Sequence, residues 1–182
     1  MKTYTVEELK SRFRAFGFMW MDNHLISIRS KEDRANEFDD KFYHYIGDGK
    51  MNEYTGTTNP GTSWLLNFMN PKGTAVLASD HQYLDTWKLG LHKGYEAMVQ
   101  NKQVCVYRDN NKNLKSEEIG VPEWGWFGIN IHRANPNAVS KIIDLWSAGC
   151  SVFNNPVQYK EFITNFKESG KKTLTYTVLR EF

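Results

Sequence analysis

Cys150 stands in the small-residue turn Ser147-Ala148-Gly149-Cys150-Ser151. Eighteen residues before it, His132 ends the alternating run Phe127-Gly128-Ile129-Asn130-Ile131-His132. A thiol and an imidazole in such settings are the parts of a cysteine acyl-transfer site. The thiolate is the nucleophile, and the imidazole takes its proton and later returns one to the leaving group. Gly149 allows a sharp turn beside the thiol and close approach of an acyl group. Amide N–H groups of such a turn converge on a developing oxyanion, a large contribution to lowering a barrier. Alone, Cys150 reads as a structural residue, because free cysteine is usually buried. A lone histidine at a strand end is usually a surface residue. The pairing of the two carries the chemical reading.

Strand alternation puts Phe127, Ile129 and Ile131 on one face and Gly128, Asn130 and His132 on the other. His132 is therefore expected to face a cleft or solvent, with Asn130 or a backbone carbonyl fixing its tautomer. Around this run the chain reads as β-rich. Thr5 and Glu8 stand in capping-box relation, and Val6, Leu9, Phe13 and Phe16 follow at helical spacing up to Gly17. Strands are expected at His24 to Ser30, Phe42 to Ile46 and Met51 to Thr55, the last two joined by a Gly47-Asp48-Gly49-Lys50 turn. Others are expected at Thr74 to Leu77, Thr86 to Leu91, Tyr95 to Val99, Gln103 to Tyr107 and Lys172 to Arg180, with turn residues between them. Residues 156–168 read as a helix stopped at Gly170. The expectation is one mostly-β (β-rich α+β) domain over residues 1–182, a sheet or sandwich with a helix near each end and residues 1–22 as a helical extension.

Composition sets limits on partners. The 182 residues suffice for one sizeable core, and 40% hydrophobic with 14% aromatic content argues for a packed interior. Lys and Arg total 23 against 21 Asp and Glu, so the net charge of +2 gives no reason to expect nucleic acid. Two cysteines do not make a disulfide framework, although one bridge between them is left open. Cys105, within the β-like run Val104-Cys105-Val106, reads as a small core residue. The polar start and the lack of a long apolar run give no signal peptide and no membrane insertion. Synthesis as a cytoplasmic chain is expected, with delivery by other means if the substrate lies outside.

His132-Arg133-Ala134-Asn135-Pro136 followed by Ser147-Ala148-Gly149-Cys150 resembles the active-site signature of the L,D-transpeptidase catalytic-domain family. Upstream, Asn70-Pro71-Lys72-Gly73-Thr74 is similar to that family's T-P-x-G segment, and Tyr54-Thr55-Gly56-Thr57-Thr58 to its strand ending in a T-G pair. The ordered set covers roughly residues 40–155. The resemblance implies an L,D-transpeptidase-like β-sandwich and a thiolate attacking a stem peptide of bacterial peptidoglycan. Cys150 would be the nucleophile and His132 the base; Gly149 and Cys150 would supply oxyanion N–H groups, and Ser147 would support the turn. Arg133 stands where the family has glycine, Val152 where it has arginine, and Ala148 where histidine is common. The missing arginine leaves a substrate carboxylate without its usual partner, a role a guanidinium at Arg133 suits. Arg133, Asn130 and Trp126 are the expected substrate contacts.

The expected absence of a signal peptide, with the altered arginine position, leads to the expectation of hydrolysis over cross-linking, as in a bacteriophage lysis protein or a delivered effector acting on the cell wall. The other class is a wall-binding or virion structural module that keeps the fold without the chemistry. His92, ending a strand beside Lys93-Gly94, is the rival base. Trp124, Trp126 and Phe127 would line a peptide or sugar groove, or simply pack. No close His or Cys ligand spacing and no phosphate loop is present, so no cofactor or metal is expected, and a zinc site from His81, His92 and Asp80 is the remote alternative. Lys31-Glu32-Asp33-Arg34 reads as a solvated loop.

Overall fold

The computed structural model describes residues 1–32, 34 and 36–182, so Asp33 of the solvated loop expected at Lys31-Glu32-Asp33-Arg34 lies outside the described residues. Among these, helix α1 (Val6–Phe16) precedes strands β1 (His24–Arg29), β2 (Asp40–Gly47) and β3 (Lys50–Thr57). Helix α2 (Thr62–Leu66) leads to β4 (Thr74–Leu77), β5 (His81–His92), β6 (Tyr95–Gln100), β7 (Val104–Asp109) and β8 (Glu123–Gly125). Then come β9 (Ile131–Arg133), a 3₁₀ turn at Asp144–Trp146, β10 (Ser151–Phe153), α3 (Pro156–Glu168) and β11 (Thr173–Arg180).

The fold is mostly β, with a helix near each end as expected. Its main sheet, however, is a closed barrel in the order β1-β11-β5-β6-β9-β10-β3-β2, beside a small sheet β4-β7-β8. It is not plainly the two-sheet sandwich that turn spacing suggested. The cause is β11, which pairs parallel with β1 and antiparallel with β5, so the last strand seals the sheet across the whole chain length. Closure removes the exposed edges that a sandwich keeps.

The sequence explains the ends of α1. The Thr5 hydroxyl accepts the Glu8 amide at 3.2 Å, the Glu8 carboxylate accepts the Thr5 amide at 2.8 Å, and Gly17 ends the helix at φ 69°. Leu9 and Phe13 pack with Ile26, Ile28, Tyr43 and Leu179 on the outer face of the barrel. Strand β1 is therefore covered on both faces and buried along its whole length, where alternation alone would leave one face wet. In α3, Asn155 caps the N-terminus through Val157 N at 2.9 Å, and Tyr159, Phe162, Ile163 and Phe166 join the main core with Leu25, Phe42 and Phe153.

Strands β9 and β10 matter most for the chemistry. They run parallel, with Ser151 opposite Ile131 and Val152 opposite His132. On the other side β10 meets β3, Phe153 opposite Gly56. A Cβ on Gly56 would lie 2.7 Å from the Val152 carbonyl oxygen and 2.4 Å from the Phe42 ring, so glycine is required for β3 to come this close.

Candidate active site

Gly149 holds the turn before β10 at φ +124°, and a Cβ there would lie 2.5 Å from the Ala75 carbonyl oxygen. Any side chain would therefore be both strained and obstructed. Buried Ser147 closes the turn: its Oγ accepts the Gly149 amide at 3.2 Å and donates to the Cys150 carbonyl at 2.8 Å. The Ser147 carbonyl in turn accepts the Gly61 amide at 2.9 Å, tying the turn to the start of α2.

Strand parity then sets the directions. Ser151 points inward, where its hydroxyl, the Tyr176 hydroxyl and the Ser27 hydroxyl form a chain with links of 2.8 and 2.9 Å. Cys150 points to the opposite face, the face that also carries Asn130 and His132. The register puts His132 one strand across and two residues along from Cys150, a Cα separation of about 8 Å. The half-buried thiol is held neutral: Sγ lies 3.4 Å from the Asn130 amide N–H, which donates to it, and 3.6 Å from the Gly128 carbonyl, to which S–H donates. Burial pushes the Cys150 thiol above its ordinary range, the Asn130 N–H and the positive charge of Lys93 only partly opposing it.

His132 is 2% exposed, not open to a cleft as strand alternation predicts. The covering is non-local: His92 stacks on it at 4.2 Å between ring centroids, and the Tyr95 hydroxyl lies 3.2 Å from its Nδ1. Nδ1 lies 2.8 Å from the Arg133 carbonyl, so N–H donation there leaves Nε2 unprotonated and without a protein partner among the described residues. Desolvation, with the neighbouring charges of His92, Lys93 and Arg133, lowers its pKa to about 3, against the opposing pull of that carbonyl. Near neutral pH Cys150 is a thiol and His132 a neutral imidazole on the same face, with Sγ bonded to Asn130 and Gly128 and not to the imidazole. Transfer of the Sγ proton to Nε2 as a bond to an acyl carbon forms requires the two atoms to come within hydrogen-bond reach or to be bridged by a water.

The other sequence-derived residues separate. Asn130 does not orient His132. Its Oδ1 accepts the Gln100 amide at 3.0 Å and its Nδ2 donates to His92 Nδ1 at 3.1 Å. The Gly149 N–H is taken by Ser147, whereas the Cys150 N–H has no acceptor among the described residues and is left open to an incoming oxygen. Arg133 turns away: its guanidinium sits 4.0 Å from the Tyr95 ring centroid and donates to the Ala134 carbonyl, beside a different hollow lined by Pro136, Tyr159 and Lys160. Trp126, 63% exposed, instead lines a cleft of about 330 Å³ with Trp64, Thr74, Ala75, Phe127 and Ala148. Trp124 packs on His81 and Tyr83. Both cysteines are free, and Cys105 belongs to the core. His81 and His92 stand at opposite ends of the 12-residue strand β5, and among the described residues neither belongs to a group of three His, Cys, Asp or Glu side chains able to hold a metal ion.

Three contributors escape sequence reasoning. Tyr95 braces His132 and the Arg133 carbonyl. Gln100 accepts the Phe127 and Ile129 amides at 3.1 and 3.0 Å and donates to the Gly125 carbonyl at 2.9 Å, which fixes the segment entering β9. Arg108 lines the cleft. Only Tyr95 carried a signal, as the first residue after the Lys93-Gly94 turn that also follows His92. Comparison of the chain with family models, curated proteins and solved structures returns no match.

Proposed function

We propose that this protein is a cysteine-dependent acyl-transfer enzyme acting on peptidoglycan stem peptides, hydrolytic more than cross-linking. The observation that carries the reading is the shared face of Cys150 and His132 across the parallel β9–β10 pair, with Nδ1 anchored and Nε2 free. The two upstream segments of the family resemblance also support it. Gly56 pairs with β10, and the residues after Gly73 reach the Gly149 turn through the Ala75 carbonyl. In the proposed sequence, Cys150 Sγ adds to the peptide carbonyl carbon while His132 Nε2 takes the thiol proton. The Cys150 N–H receives the oxyanion. Collapse breaks the C–N bond, His132 returns the proton to the leaving amine, and water then releases the acid and regenerates the thiol.

The test is digestion of purified peptidoglycan with mass spectrometry of the soluble fragments. Cleavage products from the wild type and none from Cys150→Ala are expected. Products undiminished by Cys150→Ala overturn the nucleophile, and new cross-links without cleavage overturn the hydrolytic direction. A second reading, a non-catalytic wall-binding or virion module, is favoured by the raised thiol pKa and the deep burial of His132. It predicts retention on peptidoglycan with no change in the fragments.

A further inference from the structure

The cleft beside the Cys150 turn has one ionisable side chain on its walls, Arg108. Arg108 sits on β7 directly opposite Ala75 of β4, the residue whose carbonyl meets Gly149. Its Nε donates to Glu123 Oε1 at 2.6 Å, its guanidinium lies 4.8 Å from the Phe127 ring centroid, and Nη1 reaches the Gly73 carbonyl at 3.4 Å. The group is thus pinned on one edge and one face, while Nη2 has no partner among the described residues. Glu123 is shared, since Lys72 Nζ lies 2.9 Å from its other oxygen. Two cations, Arg108 and Lys72, share this one carboxylate. Trp64, Trp126 and Phe127 supply flat apolar surface around it.

A concave site with aromatic walls and a single convergent cation selects a ligand with an apolar body and one anionic group. A guanidinium held in place with Nη2 unengaged suits a carboxylate, to one oxygen of which that group can donate a charge-assisted hydrogen bond. We propose that this cleft binds a carboxylate-bearing ligand whose charge is read by Arg108 and whose flat or aliphatic flank lies along Trp126. As a specificity residue for acyl transfer, Arg108 rests on the function proposed above. The binding itself needs no chemistry at Cys150. Arg108 thereby does from the small sheet what Arg133, turned to another hollow, does not.

The test uses Cys150→Ala protein and a matched pair of probes, hippurate and its uncharged amide hippuramide, titrated by calorimetry. Hippurate is expected to bind about tenfold or more tightly than the amide. Arg108→Gln is expected to erase that preference, Arg108→Lys to keep part of it, and Trp126→Ala to weaken both probes. Equal binding of acid and amide to the Cys150→Ala protein overturns the proposal, and so does an acid preference that survives Arg108→Gln. The first comparison decides even if Arg108→Gln fails to fold. Wild-type protein that forms no acyl adduct at Cys150 with stem peptides while the acid preference stays intact would overturn the acyl-transfer reading and leave the anion site standing.

Discussion

At the scale of single residues, the site depends on a thiol that rests protonated. Sequence reasoning from a reactive cysteine leads to a low-pKa thiolate, but the Gly128 carbonyl and the burial of Cys150 favour S–H. Alkylation by iodoacetamide, followed by peptide mass spectrometry, is therefore expected to be slow at Cys150 near neutral pH. It should accelerate only as pH rises past the usual thiol range, with a midpoint above that of a model cysteine. A midpoint near neutrality would show an ion pair instead. Ser147→Ala removes both hydroxyl bonds that close the turn and is expected to cost about 1–3 kcal/mol in urea unfolding. Gly149→Ala meets both a positive φ and the Ala75 carbonyl, so a loss of at least ~2 kcal/mol is expected, with activity lost at temperatures where the fold survives.

At the scale of elements, what the sequence made legible was local. The capping box and Gly17 delimit α1, and the Gly47–Lys50 turn sets the β2–β3 hairpin. The alternation from Phe127 to His132 correctly separates Ile129 and Ile131, which enter the core, from Asn130 and His132. Strands β8, β9 and β10 have three residues each, too few for a period-two pattern to declare itself. Strand β10, which begins directly after Cys150, was missed for that reason. The covering of His132 was illegible for another: His92 and Tyr95 come from 40 and 37 positions upstream and meet it only after β5, β6 and β9 join one sheet. Helix α1 offers an element-scale test. Leu9, fully buried against the outer barrel face, should cost ~2–5 kcal/mol when changed to alanine. Thr5→Ala should cost about 1 kcal/mol through the lost cap, both measured by denaturant unfolding.

At the scale of the whole molecule, packing against both faces of the barrel buries histidines that stay neutral. His24 and His44 join His132 with pKa values lowered by burial to about 3, 4 and 3 respectively. His44 has neither ring nitrogen hydrogen-bonded. The unfolded chain protonates such a group near its ordinary value of 6.5, and the folded one only near 4, so between those values the unfolded state binds more protons. Stability from a neutral His44 is thus complete above pH 6.5 and falls on acidification, by about 1.4 kcal/mol per pH unit. Asp39, whose pKa burial and Asp40 push up to about 6, works in the opposite sense, so a difference between variants isolates the effect. His44→Leu removes the unpaired buried nitrogens and should be more stable than wild type, with an advantage that widens from pH 6.5 down towards 4. A constant or shrinking advantage would contradict it. The central claim is that this barrel carries an acyl-transfer cysteine, and its most direct test is the intact mass of the protein quenched in acid during reaction with peptidoglycan stem peptides. A peptide-acyl adduct on Cys150 is expected, absent from Cys150→Ala and diminished in His132→Ala. An unmodified Cys150 throughout a reaction that releases product would contradict it.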